Sequence, residues 1–473
     1  MTQLKHIDGI SLPYAASEGA ELSLLLLFFF ELALKIIFLF QKIKHQHSRD
    51  FQGGKMAASR DMIAEEEVFY AQVESYLERK EYQRKGRCVR FSAVKAKDRA
   101  NEEGLITWTI DLSYWRFCDL IEGGWITESV QKKINKRDKS WYELKVTWEG
   151  EKADGYAYLT FSEDSPRYFT LLSCTPVVAS TSPTKPLLGT SDPVADITAL
   201  GFATTTAIDM NFGTGAAWTL WTFHVGQGMC SLLSDGKENG ILLDAGAGTP
   251  VKRPDYLKKC PVMINQLRDK LMGLKQVDMV LSHADRDHWS LVAWDSVLRD
   301  QIRTIYIPHD AKEFTLALKD KAVKSKVTEL SNEFTYQLSG GGTLRILRSD
   351  PKSKDDNSNC LVAVYECGKK EHLVLQSGDY VYKDMGQDTK TAIRQLKDGG
   401  YTAIVVPHHG DEASAKNVFP PHTADKSIAF FSAGDNDQYG HPTDASKAAH
   451  EAAHFKIISD KNCLSIMAVQ LAP

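Results

Sequence analysis

Four side chains that can ligate divalent metal ions occur within six residues of the chain. They lie directly after the apolar segment 277–281, in the run His283-Ala284-Asp285-Arg286-Asp287-His288. Imidazole nitrogens and carboxylate oxygens bind Zn²⁺, Mn²⁺ and related cations, and this spacing keeps the donors close together. Taken alone, the run could also be a solvated polar loop.

Further His and Asp residues follow other apolar segments in the same way. Each lies at or just beyond the end of a predicted strand, and they are Asp379, His408, His409 and His441. A rigid sheet can bring the loops at successive strand ends to one edge. Chance rarely places so many residues of these types at strand ends, so we interpret the set as one metal site.

The ordered set resembles the metallo-β-lactamase superfamily, and most closely the hydrolase domain of ComEC-like DNA-internalisation proteins. Besides the 283–288 cluster, the matching segments are Phe223-His224-Val225-Gly226-Gln227-Gly228, Leu243-Asp244-Ala245-Gly246, Asn357-Ser358-Asn359-Cys360-Leu361-Val362, Ser377-Gly378-Asp379, Pro407-His408-His409-Gly410 and Tyr439-Gly440-His441-Pro442. The resemblance covers residues 217–473. This sequence lacks the channel helices of that family, so the resemblance does not imply DNA import.

The resemblance implies an αββα sandwich with two metal ions at one edge. The implied ligands are His283, Asp285, Asp287, His288, Asp379 and His408. Asp379 would bridge the two ions, and Asp244 would hold the ligand loop in place. The expected catalytic residues are Asp287, which could orient a water molecule, His441, which would face the substrate, and the neighbouring His409.

Two segments depart from the family pattern. Trp289-Ser290-Leu291 stands where a Gly-Gly pair is common, and Met229-Cys230 stands where an Asp is usual. These departures put the shape of the pocket and the substrate in doubt, whereas the metal ligands are retained.

The ligand set favours a hydrolase of phosphodiesters. Asp285 replaces a His of the commoner cluster, and an additional oxygen ligand favours Mn²⁺ or Mg²⁺ beside Zn²⁺. Two divalent ions suit phosphodiester cleavage best, so we expect a dinuclear metal-dependent phosphodiesterase or nuclease acting on nucleic acid or nucleotides. Hydrolysis of an amide, ester or thioester stays open as an alternative, as does a non-catalytic, metal-stabilised interaction module.

The elements that must position these residues fall into two regions. Residues 56–173 predict a small α+β domain, with a helix over 62–80 and short strands within 105–172. This region has no catalytic constellation and could bind a protein partner. Residues 174–216 are rich in Ser, Thr, Pro and Gly and predict a linker to the hydrolase domain at 217–473.

Residues 1–55 have two open interpretations. The run 22–40 is about long enough to span a bilayer, and basic residues after it would keep the bulk of the protein on the cytoplasmic side. Alternatively, the segment 52–56 back-translates to a ribosome-binding sequence followed by a methionine codon. Translation would then start at Met56, and no membrane anchor would exist.

Composition sets limits on partners and compartment. The formal charge is −4, so no global field draws the chain onto nucleic acid or anionic lipid. The eight cysteines form no C-x-x-C pair, which indicates buried thiols in a reducing compartment, and we expect a cytoplasmic location. The stretch 79–99 is basic, which is typical of a solvated face or of a phosphate contact.

Overall fold

The computed structural model describes the chain from residue 65 to residue 471, with gaps. The described residues are 65–78, 87–98, 103–121, 141–148, 153–177, 197, 200–206, 218–248, 253, 256, 261–309, 316–338, 342–352, 356–366, 373–434, 439–459 and 466–471. The apolar run 22–40 and the alternative start at Met56 lie outside them. Within these ranges, no helix combines the length and the apolar character needed to cross a membrane.

The N-terminal part of the described chain is a closed antiparallel barrel of six strands and one helix. Its elements are β1 (Glu66–Glu78), β2 (Arg87–Lys95), β3 (Thr107–Ser113), α1 (Tyr114–Ile121), β4 (Trp141–Trp148), β5 (Gly155–Leu159) and β6 (Arg167–Val177). The strands close in the order β1-β2-β3-β5-β6-β4. Alternate apolar residues of each strand, such as Phe91 and Ile110, fill the interior.

The helix predicted over residues 62–80 is wrong, because the described part of this segment is strand β1. Phe69, Ala71 and Val73 point into the barrel core at every second position, which is the period of a strand. Glu67 lies two residues before Phe69, so it also faces inward, and it is buried in ion pairs with Lys95 and Lys97. A charged residue at an inward position hides the alternation when the sequence is read alone.

The remaining strands form two mixed sheets. The eight-stranded sheet has the order β21-β8-β9-β10-β11-β12-β13-β7 and contains β7 (Ala203–Thr205), β8 (Trp218–Phe223), β9 (Cys230–Ser234), β10 (Asn239–Ala245), β11 (Gln276–Val280), β12 (Ile302–Pro308), β13 (Val327–Leu330) and β21 (Ile466–Leu471). The seven-stranded sheet runs in chain order and contains β14 (Phe334–Gln337), β15 (Thr343–Arg348), β16 (Leu361–Glu366), β17 (Leu373–Gln376), β18 (Tyr401–Val405), β19 (Ile428–Phe431) and β20 (Lys456–Ser459).

The two sheets pack face to face, with helices on their outer faces. Apolar residues of both sheets, including Leu220, Leu344 and Phe430, form the shared core. The helices are α2 (Pro261–Met272), α3 (Ser290–Trp294), α4 (Ser296–Gln301), α5 (Tyr382–Met385), α6 (Thr391–Arg394) and α7 (Asp444–Ala452). Separate cores lie between each sheet and its helices, so the layers run helix, sheet, sheet, helix.

Parallel pairing brings the chemically active loops to one edge. Strand β10 is parallel to β11, and β17, β18 and β19 are parallel to one another. Their carboxyl ends therefore lie on the same side of each sheet. The Leu361 N–H donates to the Ser282 carbonyl at 2.8 Å, which fastens the start of β16 to the loop after β11. The two sheets thus present their loops to a common edge.

Part of the predicted linker contributes to the fold. Strand β6 continues to Val177, beyond the boundary expected at residue 174. Ala203–Thr205 forms β7, which pairs in parallel with β13 at the edge of the eight-stranded sheet. A strand of three residues is too short to show an alternation of apolar and polar residues, so the sequence of this segment does not predict a strand.

Candidate metal centre

The carboxylate of Asp379 lies at the middle of the site, and its two oxygens face different groups of side chains. Its Oδ2 lies 3.6 Å from His283 Nε2 and 3.6 Å from His408 Nε2. Its Oδ1 lies 3.1 Å from His288 Nε2 and 3.4 Å from His409 Nε2. The carboxylate thus separates two groups of imidazole nitrogens, with one group on the side of each oxygen.

The two remaining carboxylates complete one group each. Asp285 Oδ2 lies 3.8 Å from His283 Nε2, on the Oδ2 side of Asp379. Asp287 Oδ2 lies 3.3 Å from His409 Nε2, on the Oδ1 side. Two sets of donor atoms are close enough to hold an ion, namely those of His283, His288 and Asp379 and those of Asp287, His288 and His409.

Each imidazole of the two groups is held through its Nδ1 atom. These atoms meet Ser282 Oγ at 3.1 Å (His283), Asp244 Oδ2 at 2.9 Å (His288), Asp411 Oδ2 at 3.0 Å (His408) and the Ser432 carbonyl at 2.9 Å (His409). A ring that donates from Nδ1 keeps its lone pair on Nε2. Once metal displaces any proton they carry, all four Nε2 atoms could offer a lone pair on the side of Asp379 or Asp287.

Four of the atoms that face the centre have no hydrogen-bond partner among the described residues. Buried and without a partner are Nε2 of His283, His288 and His409, together with Oδ1 of Asp379. Leaving a buried polar atom unsatisfied costs roughly 1–3 kcal/mol. Three such imidazole nitrogens around an unsatisfied carboxylate oxygen fit a metal centre, because coordination would satisfy all four atoms.

Asp244 supports the ligand loop from behind. It is buried, and it accepts from the Ser282 N–H at 2.6 Å, from Ser282 Oγ at 2.9 Å and from His288 Nδ1. Its φ of 59° lies in the left-handed region, which Asp and Asn tolerate better than most residues. One carboxylate thus orients the loop backbone and a proposed ligand together.

We expect Asp244→Asn to lower metal affinity about 10- to 100-fold, the usual range for the loss of such a supporting group. Asn tolerates the same backbone conformation, so the change removes the charge and one acceptor oxygen and leaves the fold in place. Isothermal titration with Mn²⁺ checks this prediction. Asp235→Asn serves as a control, because Asp235 lies in the turn between β9 and β10 and accepts there from the backbone of residues 237–239. Equal affinity in the wild type and Asp244→Asn would contradict the supporting role.

The adjacent histidines of the Pro407–Gly410 turn point into the site through an unusual backbone. His408 and His409 have φ values of 48° and 55°, and Gly410 follows with a φ of 80°. Three successive residues in the left-handed region are uncommon, and strained backbone conformations of this kind cluster at functional sites. The turn thereby sends two neighbouring side chains to opposite oxygens of Asp379.

His441 is held in a different way from the other four histidines. Gln227 Nε2 lies 3.2 Å from His441 Nδ1, and because an amide nitrogen only donates, Nδ1 accepts. The ring proton then sits on Nε2. Burial, followed by the charges of His409 and His408, lowers the pKa of His441 to about 4. A neutral ring with an Nε2–H group is a hydrogen-bond donor.

In the metal-free site, the negative charge of Asp379 is stabilised by the histidines around it. Burial opposes ionisation of Asp379, but the neighbouring histidines, His288 first, hold its pKa well below the usual range. Burial also lowers the pKa of His408, but Asp379 and then Asp411 outweigh this effect and raise it to about 9. Without metal, protonated histidines supply the positive charge that the carboxylates need. A bound cation would replace those protons.

The sequence did not indicate a role for several residues that contact the histidines of the site. Ser282, Asp411 and Ser432 hold imidazole rings, Gln227 sets the proton of His441, and Asn357 Nδ2 lies 3.4 Å from His408 Nε2. Gln227 and Asn357 stand within the segments that carry the family resemblance, which was the available signal. Asp411 follows the Pro407–Gly410 turn and had no such signal.

The segment Met229-Cys230, which departs from the family pattern, is part of the core. Both side chains are fully buried, and the Met229 N–H donates to the Asp287 carbonyl at 3.1 Å. Burial raises the pKa of the Cys230 thiol well above its usual value, so the thiol stays protonated. Cys88, Cys118, Cys174 and Cys360 are buried as well.

Comparison with known proteins finds similarity at the level of structure. No protein-family model and no curated protein sequence matches the chain. Solved structures similar to the chain include metallo-β-lactamase-fold proteins. YhfI from Bacillus subtilis is 12% identical with a TM-score of 0.33, and the match covers 53% of this chain and 100% of that one. Zn²⁺-bound PqqB from Methylobacterium extorquens is 11% identical with a TM-score of 0.29, covering 51% of this chain and 87% of that one. At these values, any functional assignment rests on the residues of this chain.

Proposed function

We propose that residues 218–471 form a dinuclear metal-dependent hydrolase of the metallo-β-lactamase fold, of the ComEC-like kind, that cleaves phosphodiesters in nucleic acid or nucleotides. The observation that carries the proposal is the pair of oxygens of Asp379, each facing two imidazole Nε2 atoms whose rings are held through Nδ1. A module whose metal ions were purely structural would not need a shared carboxylate between two ligand groups.

The residues would hold the two ions as follows. His283, Asp285 and His408 would bind the first ion, because their donor atoms lie on the Oδ2 side of Asp379. Asp287, His288 and His409 would bind the second on the Oδ1 side, with Asp379 shared. His288 Nε2 also lies close to the donor atom of His283, so it stands between the two groups. This arrangement moves His409 from the catalytic residues expected from the sequence to the ligands, because its Nε2 lies beside Asp287 and Asp379. Divalent ions bound there would supply Lewis acidity and activate water for attack.

The other residues position the substrate. His441 would donate its Nε2–H to a substrate oxygen and stabilise negative charge as it develops there. It would act as a hydrogen-bond donor to the leaving oxygen, because the contact with Gln227 places the ring proton on Nε2. The ring of Tyr439, which is 46% exposed, lies 6.0 Å from that of His441 and could contact a base or a sugar.

Three carboxylates among the proposed ligands favour phosphodiesters over amides and esters. Oxygen donors suit Mn²⁺ and Mg²⁺, the ions that accompany phosphoryl chemistry, although the histidines also accept Zn²⁺. Three of the four basic residues described in the stretch 79–99 are engaged in ion pairs and do not add to this argument. Arg90 is buried in a bidentate pair with Asp111, and Lys95 and Lys97 pair with Glu67.

The test is hydrolysis by the full chain after metal removal and separate reloading with Mn²⁺, Mg²⁺ or Zn²⁺. Substrates are bis-p-nitrophenyl phosphate, single- and double-stranded DNA and RNA, with p-nitrophenyl acetate and a chromogenic β-lactam as the ester and amide arms. The Asp287→Ala, His288→Ala double variant is the blank. Metal-dependent phosphodiester cleavage that the blank lacks supports the proposal. Cleavage of the ester or the amide alone, with two ions bound, would assign the alternative hydrolase class.

A further inference from the structure

The metal-ligand loop is held from outside by the N-terminal barrel. Arg286 lies between Asp285 and Asp287 in the loop, and its side chain is only 9% exposed. Its Nη1 donates to Glu74 Oε2 at 3.0 Å, and its Nη2 donates to Thr109 Oγ1 at 2.9 Å. Glu74 belongs to β1 and Thr109 to β3, so two strands of the barrel wall fix one residue of the loop.

The backbone of β1 is shaped for this contact. The pairing of β1 with β2 shifts register between Val73 and Ser75, which places Glu74 at a β-bulge. Bulges re-aim a side chain and are enriched next to active sites. Ser92 Oγ donates to Glu74 Oε2 at 2.9 Å, and Thr109 Oγ1 lies 3.1 Å from Thr160 Oγ1. Both partners of Arg286 are therefore held in place themselves.

A second contact reaches the end of the same loop. The ring of Trp289 stacks on Phe161, which follows β5, with centroids 6.1 Å apart and planes at 19°. The indole N–H of Trp289 donates to the Ala284 carbonyl at 3.0 Å. The Arg286 guanidinium lies 5.4 Å from the centre of the Trp289 ring. The side chain of Trp289, at a position where the family usually has glycine, thus contacts both the barrel and the backbone of the ligand loop.

We infer that Glu74 and Thr109 are positioning residues for the metal centre, and that the barrel holds the loop in the conformation that binds metal. The charge of Arg286 gives the physical reason. Without Glu74, its guanidinium would have the neighbouring carboxylates of Asp285 and Asp287 as alternative partners and would compete with the cations for them. The inference rests on the proposed function insofar as these carboxylates are ligands.

The test is Glu74→Gln in the full chain, with Glu66→Gln as the matched control. Glu66 lies in the same strand, but its side chain is 53% exposed and pairs with Lys145 at 2.6 Å. Glu74→Gln should weaken Mn²⁺ binding about tenfold, the lower end of the range for groups behind a ligand. Glu66→Gln should bind as the wild type does. Melting temperature, measured in parallel, separates loss of fold from loss of affinity.

A second readout needs no metal. Hydrogen exchange of the amides of residues 283–289 in the metal-free protein should be faster in Glu74→Gln than in the wild type and the control. Arg286→Gln added to Glu74→Gln should cost less affinity than it costs alone, because the two residues act as a pair.

Three outcomes overturn the inference: unchanged exchange in the loop, unchanged affinity, or fully additive effects of the two substitutions. A wild type that binds no metal would overturn the proposed function. The exchange measurement would then still decide whether the barrel holds the loop.

Discussion

Asp379→Asn is expected to reduce the metal content of the chain from two ions to one or none and to lower metal-dependent hydrolysis on the order of 10³-fold. Asn has the size of Asp but only one acceptor oxygen and no charge, so it cannot bridge two cations. A bound ion stabilises the transition state by several kcal/mol, and each 1.4 kcal/mol corresponds to about a factor of ten in rate.

Elemental analysis of the dialysed protein and initial rates on bis-p-nitrophenyl phosphate measure the effect of Asp379→Asn. The matched control is Asp398→Asn, an exposed carboxylate in the turn Gln395–Asp398 that precedes β18. The control should keep both ions and the full rate. An Asp379→Asn protein that binds two ions and turns over normally would show that the shared carboxylate is not the centre of the site.

Gly246→Ala is expected to destabilise the protein by about 3 kcal/mol or more and to disrupt the ligand loop. A Cβ at Gly246 would lie 1.5 Å from the carbonyl oxygen of Asp287 and 2.6 Å from the Cα of His288. Both neighbours are backbone atoms, so the loop itself must move. Overpacking usually costs about 1–3 kcal/mol, and a clash this close belongs at or beyond the upper end of that range.

Thermal unfolding followed by fluorescence tests this prediction. A loss of 3 kcal/mol corresponds to a fall of roughly 6–12 °C in Tm for a domain of this size. Gly273→Ala is the control, since a Cβ there meets nothing within 4 Å. Its effect should stay within about 0.5 kcal/mol. A Gly246→Ala protein with the Tm and the metal affinity of the wild type would mean that the backbone of Asp287 and His288 does not lie against Gly246.

The position of the site could be predicted from the sequence because its donors have local signatures. His283 and Asp285 lie in one short run after a strand, and Asp379 follows another, so the chemistry and the strand pattern point to the same edge. The structure brings these residues together, while metal binding by them stays a prediction. Which histidines would bind metal and which would donate a hydrogen bond could not be predicted, because these roles depend on which atom contacts each Nδ1. Nothing in the local sequence distinguishes the Ser432 carbonyl behind His409 from the Gln227 amide behind His441.

The role of the barrel was beyond sequence analysis for a different reason. The contact between Glu74 and Arg286 joins residues 212 positions apart, and no periodic pattern reports such a pairing. The bulge at Glu74 and the buried charge of Glu67 also disturb the alternation that identifies a strand. Trp289 appeared as a departure from a family pattern, and only its stacking on Phe161 shows what the larger side chain contacts.

The central claim is that the two oxygens of Asp379 face two separate cation sites. Crystals of the full chain soaked in Mn²⁺ and measured at the manganese absorption edge test it most directly. The account predicts two anomalous peaks, one bounded by His283 and His408 and the other by His288 and His409, with the Asp379 carboxylate between them. A single peak, or no peak at Asp379 in protein that diffracts well and binds Mn²⁺ elsewhere, would contradict it.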